Sequence, residues 1–112
     1  MDSVIDMAVE SWRFGKVFER LLLRLDAGEQ DRYKSQLRWF LKKVENSLER
    51  LELRIVDVEG LYFDPGMAAT PLNIGEFAAE DVLFVEQMLE PIIMGRCGLQ
   101  KTGTVILRKV EA

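Results

Sequence analysis

The sequence contains no histidine, one cysteine (Cys97) and three prolines, and none of its apolar runs approaches the ~18 residues that a membrane span requires. Without histidine, the commonest general base, the Ser-His and Cys-His nucleophile pairs and most zinc and iron sites are removed together. A lone cysteine forms no internal disulfide, and with no signal-like start this points to a reducing cytoplasm. Positive charge is not in excess: 15 basic against 19 acidic residues give a formal net charge of −4, which argues against nucleic acid as a partner. The short apolar runs argue equally against a membrane role.

What is present is the composition of a folded protein, with 48% hydrophobic and 30% charged residues in a chain of 112. That length gives room for one domain, or for a helical part and a small β part sharing a core. Its modest buried fraction favours extra cover from a partner or a second copy. Basic residues gather at Arg32, Lys34, Arg38, Lys42 and Lys43, but the interleaved Asp and Glu make this a solvated helix face.

Apolar residues at Ile5, Val9 and Trp12, then at Phe14, Val17, Phe18, Leu21, Leu22 and Leu25, predict a helix from about Ser3 to Asp26. Ser3 with Asp6 three residues later resembles a capping box, and Gly15 is a weak point. Trp12 and Phe14 point in different directions, so one partner helix does not cover this surface. It belongs either to a central helix in a monomer or to a helix shared with a second subunit, and the shortness of the chain favours the second. Gly28 is read as the left-handed residue that stops the helix. A second helix over about 29–50 carries a cleaner stripe, Tyr33, Leu37, Phe40, Leu41, Val44, Leu48 and Leu51. Trp39 lies off that stripe, as a boundary residue or a contact with another chain. So short a connection predicts an antiparallel hairpin.

Beyond Leu51 the period falls from 3.6 to 2. Leu53, Ile55 and Asp57 alternate with Arg54, Val56 and Val58 in a strand ended by Gly60. Asp64-Pro65-Gly66 and Thr70-Pro71 are turn signals. Residues 81–89 predict a strand with Val82, Phe84 and Met88 on one side and Leu83, Val85 and Leu89 on the other, which suggests a central position. Pro91 interrupts, Ile92-Ile93-Met94 pair briefly, 95–98 turn, and 103–110 form the last strand.

No constellation in the sequence supports catalysis. Glu45 and Glu49 sit one turn apart on an outer helix face, where nothing holds a carboxyl out of water. Glu76, Glu80 and Asp81 lack the spacing of a calcium loop, and Gly95-Arg96-Cys97-Gly98 lacks the Gly-Lys-Ser/Thr run of a phosphate loop. Cys97 reads as an ordinary thiol in a turn. A binding protein with no enzyme activity, no metal and no cofactor is therefore expected.

The order of pieces is itself a pattern: a helical hairpin, a strand, Gly60-Leu61-Tyr62-Phe63-Asp64-Pro65, and a small β unit ending in Gly103-Thr104-Val105-Ile106-Leu107. This resembles the GrpE family, the nucleotide exchange factors of DnaK-type chaperones, over roughly residues 9–110. Gly60, Phe63, Asp64 and Pro65 match the family's Gly-x-x-Phe-Asp-Pro turn. Val82 and Val85 fall on its Val-x-x-Val strand, and Leu99, Lys101 and Val105 fall in its closing motif. There are departures. Ala68-Ala69-Thr70-Pro71 stands where the family has His-Glu-Ala-Val, Leu89-Glu90 stands for Gly-Tyr, and the long N-terminal coiled-coil helix is not in this sequence.

The resemblance implies an α+β fold in which an antiparallel helical hairpin (residues 1–51) dimerises as a four-helix bundle and a compact β unit (52–112) meets the partner. It implies a homodimer that opens the nucleotide cleft of a DnaK-type ATPase domain and releases ADP. The dimer seam is expected at Trp12, Phe14, Phe18, Leu22 and Trp39. Chaperone contacts are expected in the Met67 to Leu72 loop (Met67, Ala68, Thr70, Leu72) and at Arg96, Gln100 and Lys101. The alternative is a structural or adaptor dimer that has kept the fold and lost exchange, favoured by the missing His-Glu-Ala-Val and long helix.

Overall fold

Helical periodicity in the first half of the sequence becomes two helices in the computed structural model, which describes residues 2–111. Positions 1 and 112, the outer bounds of the two expected domains, lie outside the described residues. Helix α1 spans Asp2–Leu22 and α2 spans Ala27–Glu49. Because α1 already includes Asp2, Ser3 lies inside its first turn and is not the cap that the Ser3/Asp6 spacing predicts. At its far end α1 tightens into i→i−3 bonds, from the N–H of Leu23 to Arg20 at 3.3 Å, of Arg24 to Leu21 at 3.1 Å and of Leu25 to Leu22 at 3.0 Å.

Asp26 then starts α2. It has extended backbone, and its side chain accepts the Glu29 N–H at 2.9 Å. Gly28 is thus the second residue of α2 and not the left-handed stop of α1, because α1 has already ended in those i→i−3 bonds and the Asp26 cap starts α2 before Gly28 is reached. Helix α2 ends with Glu52 at φ 59° and the Leu53 N–H bonded back to the Leu48 carbonyl at 3.0 Å, while Leu48 and Leu53 are both buried. That is a Schellman ending built on a residue other than glycine.

Gly15 is buried, and a Cβ there would meet Leu41 Cδ2 at 3.2 Å. The expected weak point of α1 is therefore the place where α2 approaches it closely. The chain divides into two units, Met1–Arg54 and Ile55–Ala112.

The second unit, its first strand starting at Arg54, holds two three-stranded sheets. Strand β1 is Arg54–Val56, β2 Ala69–Pro71, β3 Leu83–Glu90, β4 Ile92–Gly95, β5 Gly98–Lys101 and β6 Gly103–Lys109, with a 3₁₀ turn at Ile74–Glu76. The sheet orders are β1-β4-β5 and β2-β6-β3. The central strand of the second sheet is thus β6, parallel to β2 and antiparallel to β3, and the expectation that 81–89 is central is corrected. Apolar residues on both sides of β3 come instead from a change of phase. Val85 pairs with Leu107 and Met88 with Val105, three residues against two, so a bulge turns both Val85 and Met88 inward. Glu59 accepts the Met88 N–H at 2.8 Å beside that bulge. The core of this unit is Val85, Ile93, Val105, Leu107, Met88 and Ile92, all buried.

Gly103, where β6 begins, is boxed in: an added Cβ would meet Met88 Cε at 2.8 Å, Ile92 Cγ1 at 2.9 Å and the Glu90 carbonyl at 3.0 Å. Gly103→Ala is expected to lower stability by about 1–3 kcal/mol in urea unfolding, as overpacking does. Gly75→Ala, with nothing within 4 Å, should be nearly neutral. Equal effects at the two sites would contradict the packing.

Candidate functional site

One face of the hairpin is apolar and open. On α1 the exposed Met7, Phe14, Val17 and Leu21 recur at helical spacing, with Phe14 at 60% exposure. The Phe14 ring lies 6.2 Å from Phe18 and 6.5 Å from Phe40 of α2, and Phe18 lies 6.5 Å from Tyr33. The Phe14–Phe40 and Phe18–Tyr33 pairs join the two helices across their surface. Toward the opposite end of the hairpin the same face opens into a groove of about 380 Å³ between Met7 and Phe40, Val44 and Leu51, where Lys43 is the only charged lining residue.

Of the expected seam residues, Phe14 and Phe18 lie on this face and Trp39 is exposed, with the Lys43 ammonium 5.5 Å from its ring centre. Trp12 and Leu22 are buried and do not belong to an open seam. Two residues turn a helix by about 200°, so Trp12 faces away from Phe14, and Leu22 is rotated from Phe18 toward the interior. Met7, Val17 and Leu21 are the α1 residues that this open face exposes alongside Phe14. Their spacing from Phe14 was visible in the sequence, but the breadth of apolar surface on α1 hid which stripe is covered.

In the β unit the Gly60–Pro65 segment has a definite task. Gly60 sits at φ 86°, a conformation other residues adopt at a cost of ~1–2 kcal/mol. Its N–H bonds the Val85 carbonyl at 2.8 Å, the Val85 N–H bonds Leu61 at 2.9 Å, and the Phe63 N–H bonds Leu83 at 2.8 Å. The segment thereby covers the outer edge of β3, which would otherwise present unpaired strand groups. Asp64 closes the turn as its sequence predicts, accepting the Gly66 N–H on Oδ1 at 2.9 Å. Beside it a groove of about 590 Å³ runs between Tyr62, Pro65, Ile74, Phe77 and Val82. Tyr62, Ile74 and Val82 are exposed there, and Leu61 and Leu72 add to the open apolar surface of this unit.

The expected chaperone contacts are only partly assembled. Residues 69–71 are strand β2 and not loop, and Ala69 is buried, because parallel pairing with β6 satisfies this stretch. Thr70 and Leu72 are exposed, while Met67 and Ala68 are half-buried. The Ala68 carbonyl accepts the Gly103 N–H at 2.9 Å, so 67–68 adjoin the start of β6, just after the end of β5 that carries Gln100 and Lys101. Lys101 pairs with Glu90 at 3.8 Å. Arg96 stands at the other end of β5, in the tight β4–β5 turn with the exposed Cys97.

Sequence reasoning missed Asn73, whose side chain extends β2 by one artificial residue. It donates to the Leu107 carbonyl and accepts the Leu107 N–H, both at 2.9 Å. Among the described residues no polar or charged side chain is buried and no group of three or more potential metal ligands occurs, Glu76, Glu80 and Asp81 included. No helix among them is long and apolar enough to cross a membrane.

Asp81 closes the floor of the β-unit groove. Its Oδ2 accepts the Ala78 N–H at 2.9 Å and its Oδ1 lies 3.4 Å from Lys109 Nζ. The backbone hydrogen bond from Ala78, with help from Lys109, holds its pKa below the ordinary 3.8. A carboxylate depressed in the folded state adds stability above its unfolded pKa and loses it as pH falls through the folded one. The stability difference between wild type and Asp81→Asn should therefore be largest near neutrality and shrink below about pH 4, measured by urea unfolding across pH. A difference independent of pH would contradict this role.

Comparison of the chain with family models, with curated proteins and with solved structures returns no match.

Proposed function

We propose that this chain is a GrpE-like co-chaperone, a homodimeric nucleotide exchange factor for a DnaK-type chaperone in the cytoplasm. The observation that carries the reading is the work done by the motif residues. Gly60 takes the left-handed conformation, the 60–63 segment pairs with β3, and Asp64 closes the turn into Pro65-Gly66. A helical hairpin followed by a six-stranded β unit agrees with what the resemblance implies.

In this reading the two units divide the labour. The aromatic face of the hairpin meets the same face of a second copy, making a four-helix bundle. The groove at one end of that face suits self-association because its lining is apolar apart from Lys43 and two serines, so two copies bring few like charges together there. The exposed apolar surface of the β unit, Tyr62, Ile74 and Val82 along its groove together with Leu72, meets the chaperone's ATPase domain, and Thr70, Gln100 and Lys101 of the same unit supply the expected polar contacts. Exchange then needs no chemistry from this chain. Affinity for the open-cleft state over the closed one shifts the chaperone's population toward the form that releases ADP.

The second reading, an adaptor dimer without exchange activity, is favoured by one observation. The stretch Ala68-Ala69-Thr70-Pro71, where the family has His-Glu-Ala-Val, is largely drawn into strand β2 and offers few polar groups to a partner. Release of fluorescent ADP from a DnaK-type chaperone separates the two. The exchange reading expects acceleration of at least about tenfold at micromolar chain, equivalent to ~1.4 kcal/mol. No acceleration and no complex at that concentration would overturn it.

A further inference from the structure

The hairpin carries a second groove, and its chemistry differs from the first. It lies nearer the α1–α2 turn and encloses about 470 Å³, and the two grooves share no lining residue. Helical phase places them on opposite faces of the two-helix layer, since the linings of α1 and of α2 both rotate in the same sense from one groove to the other. The floor is apolar, formed by Leu22, Leu37 and Leu41 with the strongly exposed Leu23 at one side. The rim is basic: Arg20, Lys34 and Arg38 line it against a single acid, Glu19. Among the described residues none of these three cations has an ion-pair partner, although the chain as a whole is acidic.

We propose that this groove docks an acidic amphipathic helix supplied by another protein. An apolar floor between two helices receives the apolar stripe of a third, read as anchors at i, i+3, i+4 and i+7. The α2 wall from Gln30 to Leu41 is about 17 Å long at 1.5 Å per residue, three turns of a docked helix. Lys34 and Arg38 stand one turn apart on that wall, so glutamates one turn apart on the incoming helix meet both. A second copy of this chain is the poorer occupant, because it would bring Arg20, Lys34 and Arg38 against their own counterparts. The site therefore remains open when two copies join through the aromatic face, and it extends the function beyond the chaperone contact.

The test uses the full chain and a fluorescein-labelled 18-residue synthetic helix with leucines at i, i+3, i+4 and i+7 and glutamates on both flanks. Its control has every glutamate replaced by lysine. Fluorescence anisotropy at 0.15 M salt should give at least about tenfold tighter binding of the acidic peptide. Lys34→Glu with Arg38→Glu should reverse that preference. Leu23→Ser should weaken both peptides without altering their order. All three side chains are exposed, and unchanged circular-dichroism melting verifies that the variants fold. Equal binding of the two peptides, or a preference unaffected by the double charge reversal, would overturn the proposal. So would binding to phosphatidylserine vesicles that depends on Lys34 and Arg38 while the acidic peptide fails to bind, since the groove would then face a membrane.

Discussion

Two helices side by side cannot cover both faces of their own layer, and most of what this molecule presents to a partner follows from that constraint. Helix α1 is apolar around much of its circumference, whereas α2 offers one stripe to pack against it. Close approach at Gly15 buries the shared seam, but Phe14, Val17 and Leu21 remain in water. Exposed apolar surface of that extent is an interaction site or a liability. The aromatic rings that bridge the helices give it a fixed shape, as an interface surface needs.

The two faces of the layer are chemically unlike, and this decides what each suits. On one face the groove beside Met7 has Lys43 as its one charged lining residue, which suits the proposed self-association. The other groove is rimmed by Arg20, Lys34 and Arg38, which have no ion-pair partner among the described residues and so favour the proposed acidic partner over a second copy. The β unit adds a third surface, where the Gly60–Phe63 segment seals the edge of β3 and Tyr62 and Val82 are exposed beside it. Sealing that edge suppresses nonspecific strand pairing, so recognition there falls to side chains.

Much of this was legible in the sequence because it depends on local signals. The 3.6-residue period gave the helices, the alternation over 103–110 gave β6, and Asp64-Pro65-Gly66 gave its turn. What escaped depends on distant partners. Ala69-Thr70-Pro71 reads as a turn until β6, more than thirty residues later, pairs with it. The bulge that turns Met88 inward has no local signature, and neither does the use of Asn73 as a substitute strand residue. Trp12 and Leu22 were misplaced for a related reason. A helix apolar on many sides has a period but no phase until its neighbours are known, so spacing identified the candidates without choosing among them.

The central claim, that the aromatic face of the hairpin is covered by a second copy, is tested most directly by sedimentation equilibrium of the chain and of Phe14→Glu with Leu21→Glu. Both substituted side chains are exposed, so the variant is expected to fold. The account predicts a wild type of twice the 12.9 kDa chain mass and a folded variant of single mass. A monomeric wild type, or a variant that remains dimeric, would contradict it.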